Sequence, residues 1–259
     1  MKITWLGTAC LLIETSRSRL LFDPYLRSFS SLPAFPIERV SGVDAIFITH
    51  PHLDHFADLP VFLERTHAPV YVCRHGLEIA EKQGFPMESL NEIQPGQEIH
   101  ISDMTIRAWQ SCHCLYDPLV LHKTIHRALR PENLKAALAI DVQNHQFHID
   151  LFKDVLAYEI SAEGKSVMVL GSANCSRGVE YPTGADLMVF PYQGHSRMPG
   201  YSLPFLERFQ PKRVMLDHFD DAFPPISSPM DCEPFRKRAK AVHPEIPVFV
   251  PKEQIAYEI

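Results

Sequence analysis

The sequence predicts an α/β fold built as one domain over residues 1–259. Three observations lead there. Short apolar runs at 43–48, 70–73, 186–190 and 213–216 read as buried strands. Stretches of helical density at 57–65, 76–83, 203–209 and 233–241 alternate with them. No fixed-period repeat, low-complexity block or long linker divides the chain. At 259 residues and 46% hydrophobic, the chain can bury a substantial core.

Taken in order, residues 3–6, 10–14 and 19–22 form strands around the polar turn Ser16-Arg17-Ser18, and the ladder stops at Asp23-Pro24. Asp23 fits a turn cap or a partner for a metal-bound histidine, and spacing favours the cap. Residues 27–42 carry prolines and serines with little periodicity and read as a loop beside the site. A helix over 76–83 is closed by Gly84. Strands at 97–101 and 104–109 lead to Cys112-His113-Cys114, where alternation turns the two cysteines away from the face His113 uses. Residues 115–154 change character. Helices are expected at 134–139 and 147–156, and the pairs His122/His126 and His145/His148 have helical spacing, read as polar surface. The segment is a candidate lid. A hairpin at 155–160 and 166–170 follows, and the tail adds strands at 247–250 and 255–257.

The chemistry concentrates at the end of the strand 43–48, in Thr49-His50-Pro51-His52-Leu53-Asp54-His55. Imidazoles and a carboxylate packed this densely suit a transition metal; zinc fits best, and manganese, iron or nickel are accommodated. His113 and His218 also terminate strands, which makes them the natural partners of this cluster.

This motif resembles the Thr-His-x-His-x-Asp-His signature of the metallo-β-lactamase superfamily, in particular its cytoplasmic branch of ascorbate-6-phosphate lactonase-like and N-acyl-phosphatidylethanolamine phospholipase D-like proteins. The order of the opening strand, the Asp23-Pro24 corner, His113 and His218 is similar too. The resemblance implies a four-layer αββα sandwich, with residues 115–154 as an insertion. It implies one or two divalent ions, with His50, His52 and His113 around one and Asp54, His55 and His218 around the other. A hydroxide activated by them would attack a small ester, lactone or phosphodiester. Asp54 and His195 are the catalytic candidates, His195 as a substrate contact or general acid. The family places a metal-bridging aspartate where this chain has Ser172, and the amide of Asn174 is a poor replacement. Weakened binding at one site, or a single ion, is therefore expected unless Asp220 or Asp117 supplies the charge. The same departure motivates an alternative, a non-catalytic metal- or ligand-binding member of the fold.

Net charge of −6 and the lack of a basic, aromatic-interleaved stretch argue against nucleic acid as a partner. No run approaches the ~20 apolar residues of a membrane span. The N-terminus shows no secretory signal, and Cys10, Cys73, Cys112, Cys114, Cys175 and Cys232 have no paired framework. The expectation is a cytoplasmic protein with free thiols and a small-molecule substrate, with room for a homo-oligomer.

Overall fold

The computed structural model describes residues 1–27 and 35–259. Residues 28–34 of the expected loop at 27–42 lie outside the described residues, and Ile37–Val40 forms a 3-10 turn. Strands β1 (Lys2–Gly7), β2 (Cys10–Glu14), β3 (Arg19–Phe22), β4 (Ala45–Phe47), β5 (Val70–Val72) and β6 (Leu90–Glu92) lie side by side in that order. A second sheet takes β7 (Glu98–Ile101), β8 (Met104–Ser111), β9 (Val155–Ala162), β10 (Lys165–Val169), β11 (Leu187–Pro191), β12 (Val214–Asp217) and β13 (Val248–Phe249). The chain then returns as β14 (Ala256–Glu258) beside β1, so among the described residues each sheet has seven strands.

Each sheet is antiparallel in one half and parallel in the other. Strands β3 to β6 are parallel neighbours, as are β10 to β13. Parallel neighbours need crossovers. Here α1 (Leu53–Phe56), α2 (Leu59–Thr66) and α3 (Arg74–Gln83) serve the first sheet. Two helices, α4 (Pro118–Ala128) and α5 (Leu134–Asn144), occupy the connection from β8 to β9, and α6 (Met198–Tyr201), α7 (Leu203–Phe209) and α8 (Glu233–Val242) serve the second sheet. Among the described residues no helix is long and apolar enough to cross a membrane.

Period-two alternation sorts the second sheet between two cores. Val167, Val169, Leu187, Val189 and Met215 face the first sheet, whose Phe22 and Phe47 meet Tyr158 edge-on. Met168, Met188, Phe190 and Leu216 face the other way, onto Phe205 and Phe209 of α7 and Phe235 of α8. The first core continues through its own sheet to Phe62 of α2 and Ile79 of α3. Helices outside and sheets inside give the four-layer sandwich.

One expected helix is absent. Residues 147–156 comprise the end of a 3-10 turn, a bent segment and the start of β9. Asp150 accepts a hydrogen bond from Phe152 N (2.9 Å), and Asp154 accepts one from Asp150 N (2.7 Å). Such local side-chain contacts offer the backbone an alternative to the helical ladder. Helix α4, for which only the His122/His126 spacing gave a hint, starts where Asp117 accepts from Leu119 N and Val120 N and Pro118 opens the first turn.

Gly171 fixes how closely the sheets approach at the site. A Cβ there would lie 2.4 Å from the Leu156 carbonyl oxygen and 2.6 Å from the Thr49 Cβ. Neither neighbour can give way freely, because Leu156 N donates to Thr49 O and Tyr158 Oη donates to Ile48 O, both at 2.8 Å. Gly171→Ala should destabilise the protein by about 1–3 kcal/mol, as overpacked cores do. In a thermal melt this appears as a Tm lowered by roughly 2–10 °C.

Candidate metal centre

Six candidate ligands come together at one edge of the sandwich. His50, His52, Asp54 and His55 follow β4, His113 follows β8, and His218 follows β12. They fall into two groups, His50/His52/His113 and Asp54/His55/His218, and within each group the donor atoms lie within 4.8 Å of one another. The groups adjoin, with ring centroids 4.0 Å apart for His50 and His55. A cavity of about 40 Å³ lies among His50, His55, His113, Ser172 and His218.

Asp23 organises the centre, so the cap favoured by spacing is the wrong reading of this residue. The register Phe22↔Phe47 carries Asp23 alongside the end of β4. Its carboxylate accepts from Thr49 N (2.7 Å) and Thr49 Oγ1 (2.6 Å) and lies 2.9 Å from His55 Nδ1. Because the Thr49 hydroxyl gives its proton to Asp23, it can only accept from His50 Nδ1 at 3.0 Å. His50 therefore carries its proton on Nδ1. Its Nε2 is left bare, buried and without a hydrogen-bond partner. His113 Nδ1 likewise donates to the Cys114 carbonyl at 2.8 Å, which frees its Nε2. A buried, unpartnered imidazole nitrogen costs free energy unless something occupies its lone pair. A divalent metal fits this donor set.

Electrostatics keep the first group neutral. Burial lowers the pKa of His50 well below the ordinary value, and the imidazoles of His55, His52 and His113 add to the effect. Burial and His113 lower His52 to about 3. Burial brings His113 to about 4. In the second group burial would raise the Asp54 pKa, yet His55 and His218 outweigh it and hold the carboxyl well below the usual range. Burial alone would lower His218, but its 3.1 Å contact with Asp54, with the charges of Asp220 and Asp217, raises it to about 9. Three residues at the centre, Thr8, Asp23 and His218, have φ of 50°, 44° and 51°. Left-handed backbone at non-glycine residues costs about 1–3 kcal/mol each and is held here by surrounding bonds, such as His218 N to Thr8 O at 2.8 Å.

The flanking residues have distinct places. Ser172 is buried beside both groups, and its Oγ accepts from Cys114 N at 2.9 Å. Asn174 is turned to other work, its Nδ2 donating to His113 O (2.8 Å) and its Oδ1 accepting from Cys175 N (2.9 Å). Asp220 comes close enough to act on His218 and accepts from Thr8 N at 2.9 Å. Asp117 instead caps α4 and accepts from Ser196 N at 2.6 Å. Cys112 and Cys114 stand outside both donor groups. His195 stacks on Tyr201 with centroids 4.5 Å apart, and Arg197 N donates to its Nδ1 at 3.1 Å. A cavity of about 510 Å³ opens from His52, Asp54, His113 and His218 toward His195 and the segment 116–148. His148 lines this cavity, whereas His122 and His126 lie exposed on α4. Sequence reasoning missed Thr49 as the pivot between Asp23 and His50. The available signal was a pair of short apolar runs, 20–22 and 45–48, each followed at once by a polar residue.

Fold and centre together define a four-layer sandwich with a His/Asp metal-type site at one edge. The chain belongs to the beta-lactamase superfamily, matching the description "Beta-lactamase superfamily domain" over residues 18–219. It is 35% identical to a UPF0173 protein of Pyrococcus abyssi over 113 residues, which are 44% of this chain and 50% of the relative. The chain thus matches about half the length of such curated relatives. A UPF0173 metal-dependent hydrolase of Archaeoglobus fulgidus is 26% identical over 263 residues, covering 100% of this chain and 99% of that one. The structure of Igni18, a metallo hydrolase of Ignicoccus hospitalis, superposes with a TM-score of 0.64 at 17% identity, over 100% of this chain and 98% of that one.

The shifted histidines make the metal-free protein sensitive to pH on both sides. From pH 6.5 down toward about 4, the unfolded chain takes up protons that His50, His52 and His113 refuse when folded, so stability falls with pH. The stabilisation from His218 is complete below 6.5 and is lost as pH rises through about 9. Calorimetry on chelator-treated protein should show a Tm maximum between these limits, with the acid-side decline reduced in a His50→Ala, His52→Ala double variant.

Proposed function

We propose that the protein is a metal-dependent hydrolase acting on a small ester, lactone or phosphodiester. The observation that carries this is the bare, buried His50 Nε2 within two adjoining donor groups. His50, His52 and His113 would hold one divalent ion, and Asp54, His55 and His218 would hold a second more weakly for want of a bridging carboxylate, with zinc favoured by the imidazole-rich set. Ions bound there would acidify a water molecule and polarise the carbonyl or phosphoryl oxygen of the substrate. Asp54 supplies negative charge and anchors His218. With Nδ1 accepting from Arg197 N, the neutral ring of His195 carries its proton on Nε2 and presents it as a hydrogen-bond donor to the substrate at the cavity wall. Residues 115–154 act as the lid of that cavity, which takes a small molecule rather than a nucleic acid. The six unbonded cysteines suit a cytoplasmic setting.

Protein purified without chelators should contain divalent metal by elemental analysis and hydrolyse at least one member of a panel of p-nitrophenyl esters, lactones and phosphodiesters. Replacing His50 and His52 together by alanine should abolish hydrolysis and lower the metal content, because Asp54, His55 and His218 remain. Metal-loaded protein inert toward the whole panel would sink the hydrolase reading.

Ser172 favours a second reading, a binding protein that kept the fold and lost turnover, because a hydroxyl stands where two dications need a carboxylate. Ser172→Asp keeps an acceptor for Cys114 N and adds charge beside both groups. It should raise the metal content toward roughly two ions per chain. A gain in metal together with new or faster hydrolysis identifies Ser172 as the lesion; unchanged occupancy removes the basis of this second reading.

A further inference from the structure

The larger cavity has two kinds of wall. Val120, Leu121, Ile140 and Phe147, from the β8–β9 connection, meet Ile226 and Met230 across an apolar space. Lys123 and Arg127 line the same cavity from one face of α4, four residues apart. Some cations elsewhere in this acidic chain, such as Arg208, donate only to backbone carbonyls, and others have carboxylate partners: Arg74 reaches Glu92, Lys212 reaches Asp186 and Arg236 reaches Glu233. Among the described residues Lys123 and Arg127 have none, and the Arg127 guanidinium donates to the neutral Ser228 hydroxyl at 3.0 Å. Arginine stays protonated at any working pH, so its charge is fixed in the cavity wall. Low-dielectric walls concentrate the field of such charges on whatever enters.

We propose that the cavity takes an anionic substrate with an apolar body, whose phosphate or carboxylate group, distinct from the bond cleaved, is held by Arg127 and Lys123. The guanidinium fork suits either group in a bidentate contact, and the Ser228 hydroxyl orients it. Lys123 is exposed and adds a mobile second charge at the mouth. The volume of about 510 Å³ admits a body of small-molecule size. Calling the occupant a substrate rests on the hydrolase reading; the charge recognition does not.

Calorimetric titration of chelator-treated protein separates the two, because no ion is present to hold the anion. The probes are octyl phosphate, octanoate and the neutral octyl glucoside. Both anions should bind more tightly than the glucoside, and Arg127→Gln should weaken them by about ten- to a hundredfold, the usual loss for a charged hydrogen bond. Lys123→Gln should weaken them by a smaller factor without endangering the fold, and Arg127→Lys should recover part of the affinity. Tighter binding of octyl phosphate marks a phosphoryl group, and tighter binding of octanoate a carboxylate; either supports the proposal. Equal binding of all three probes, anion affinity indifferent to both glutamine variants, or anion binding that appears with zinc alone would overturn it. Failure to hydrolyse any ester with metal bound leaves this result standing and removes the hydrolase reading.

Discussion

The centre depends on one buried carboxylate. Asp23 receives the Thr49 amide, the Thr49 hydroxyl and the His55 ring, and through Thr49 it sets the proton position on His50. A chain of this kind converts a backbone register into a chemical state. The pairing of β3 with β4 places Asp23, Asp23 places a proton, and the proton decides which imidazole nitrogen is bare. Partners of this sort tune metal ligands as strongly as the ligands' own identity.

Much of this geometry was legible in the sequence because the candidate ligands sit where strands stop. The polar run after β4 stands out against its apolar strand, and His113 and His218 were each found by the same break in pattern. The division into two donor groups came from family resemblance, and the geometry is consistent with it. Asp23 was misjudged because its role depends on which strand lies beside β3, and no local pattern states that. The helix expected at 147–156 failed for another reason. Its apolar spacing is helical, but two aspartates satisfy nearby amides first. Arg127 drew no notice because an arginine on a helix is ordinary until the fold places it in a cavity wall.

Charge balance is the feature most particular to this chain. With Ser172 in place of a carboxylate, Asp54 is the sole anion within the two donor groups. Asp217 and Asp220 lie behind His218. Both are buried, and each has an oxygen without a hydrogen-bond partner. Burial raises the pKa of Asp217 well above the ordinary carboxylate range and disfavours its charge, so Asp220 is the carboxylate that acts behind His218 rather than between the two donor groups.

The segment that walls much of the cavity is the connection of a hairpin. Ser111 faces Val155 in the β8–β9 ladder, and His113 N donates to Leu151 O at 2.6 Å. Residues 112–154 therefore leave and re-enter the sandwich at one stem, stitched closed beside a metal-type ligand. The entropy of closing such a loop grows only with the logarithm of its length. The sheets below it bear almost none of the cost when the loop is lengthened, shortened or rewritten. A lineage carrying this stem can revise what the cavity admits in one contiguous stretch of gene, while His113 stays pinned by the stem and the other five candidate donor residues, at other strand ends, stay where they are.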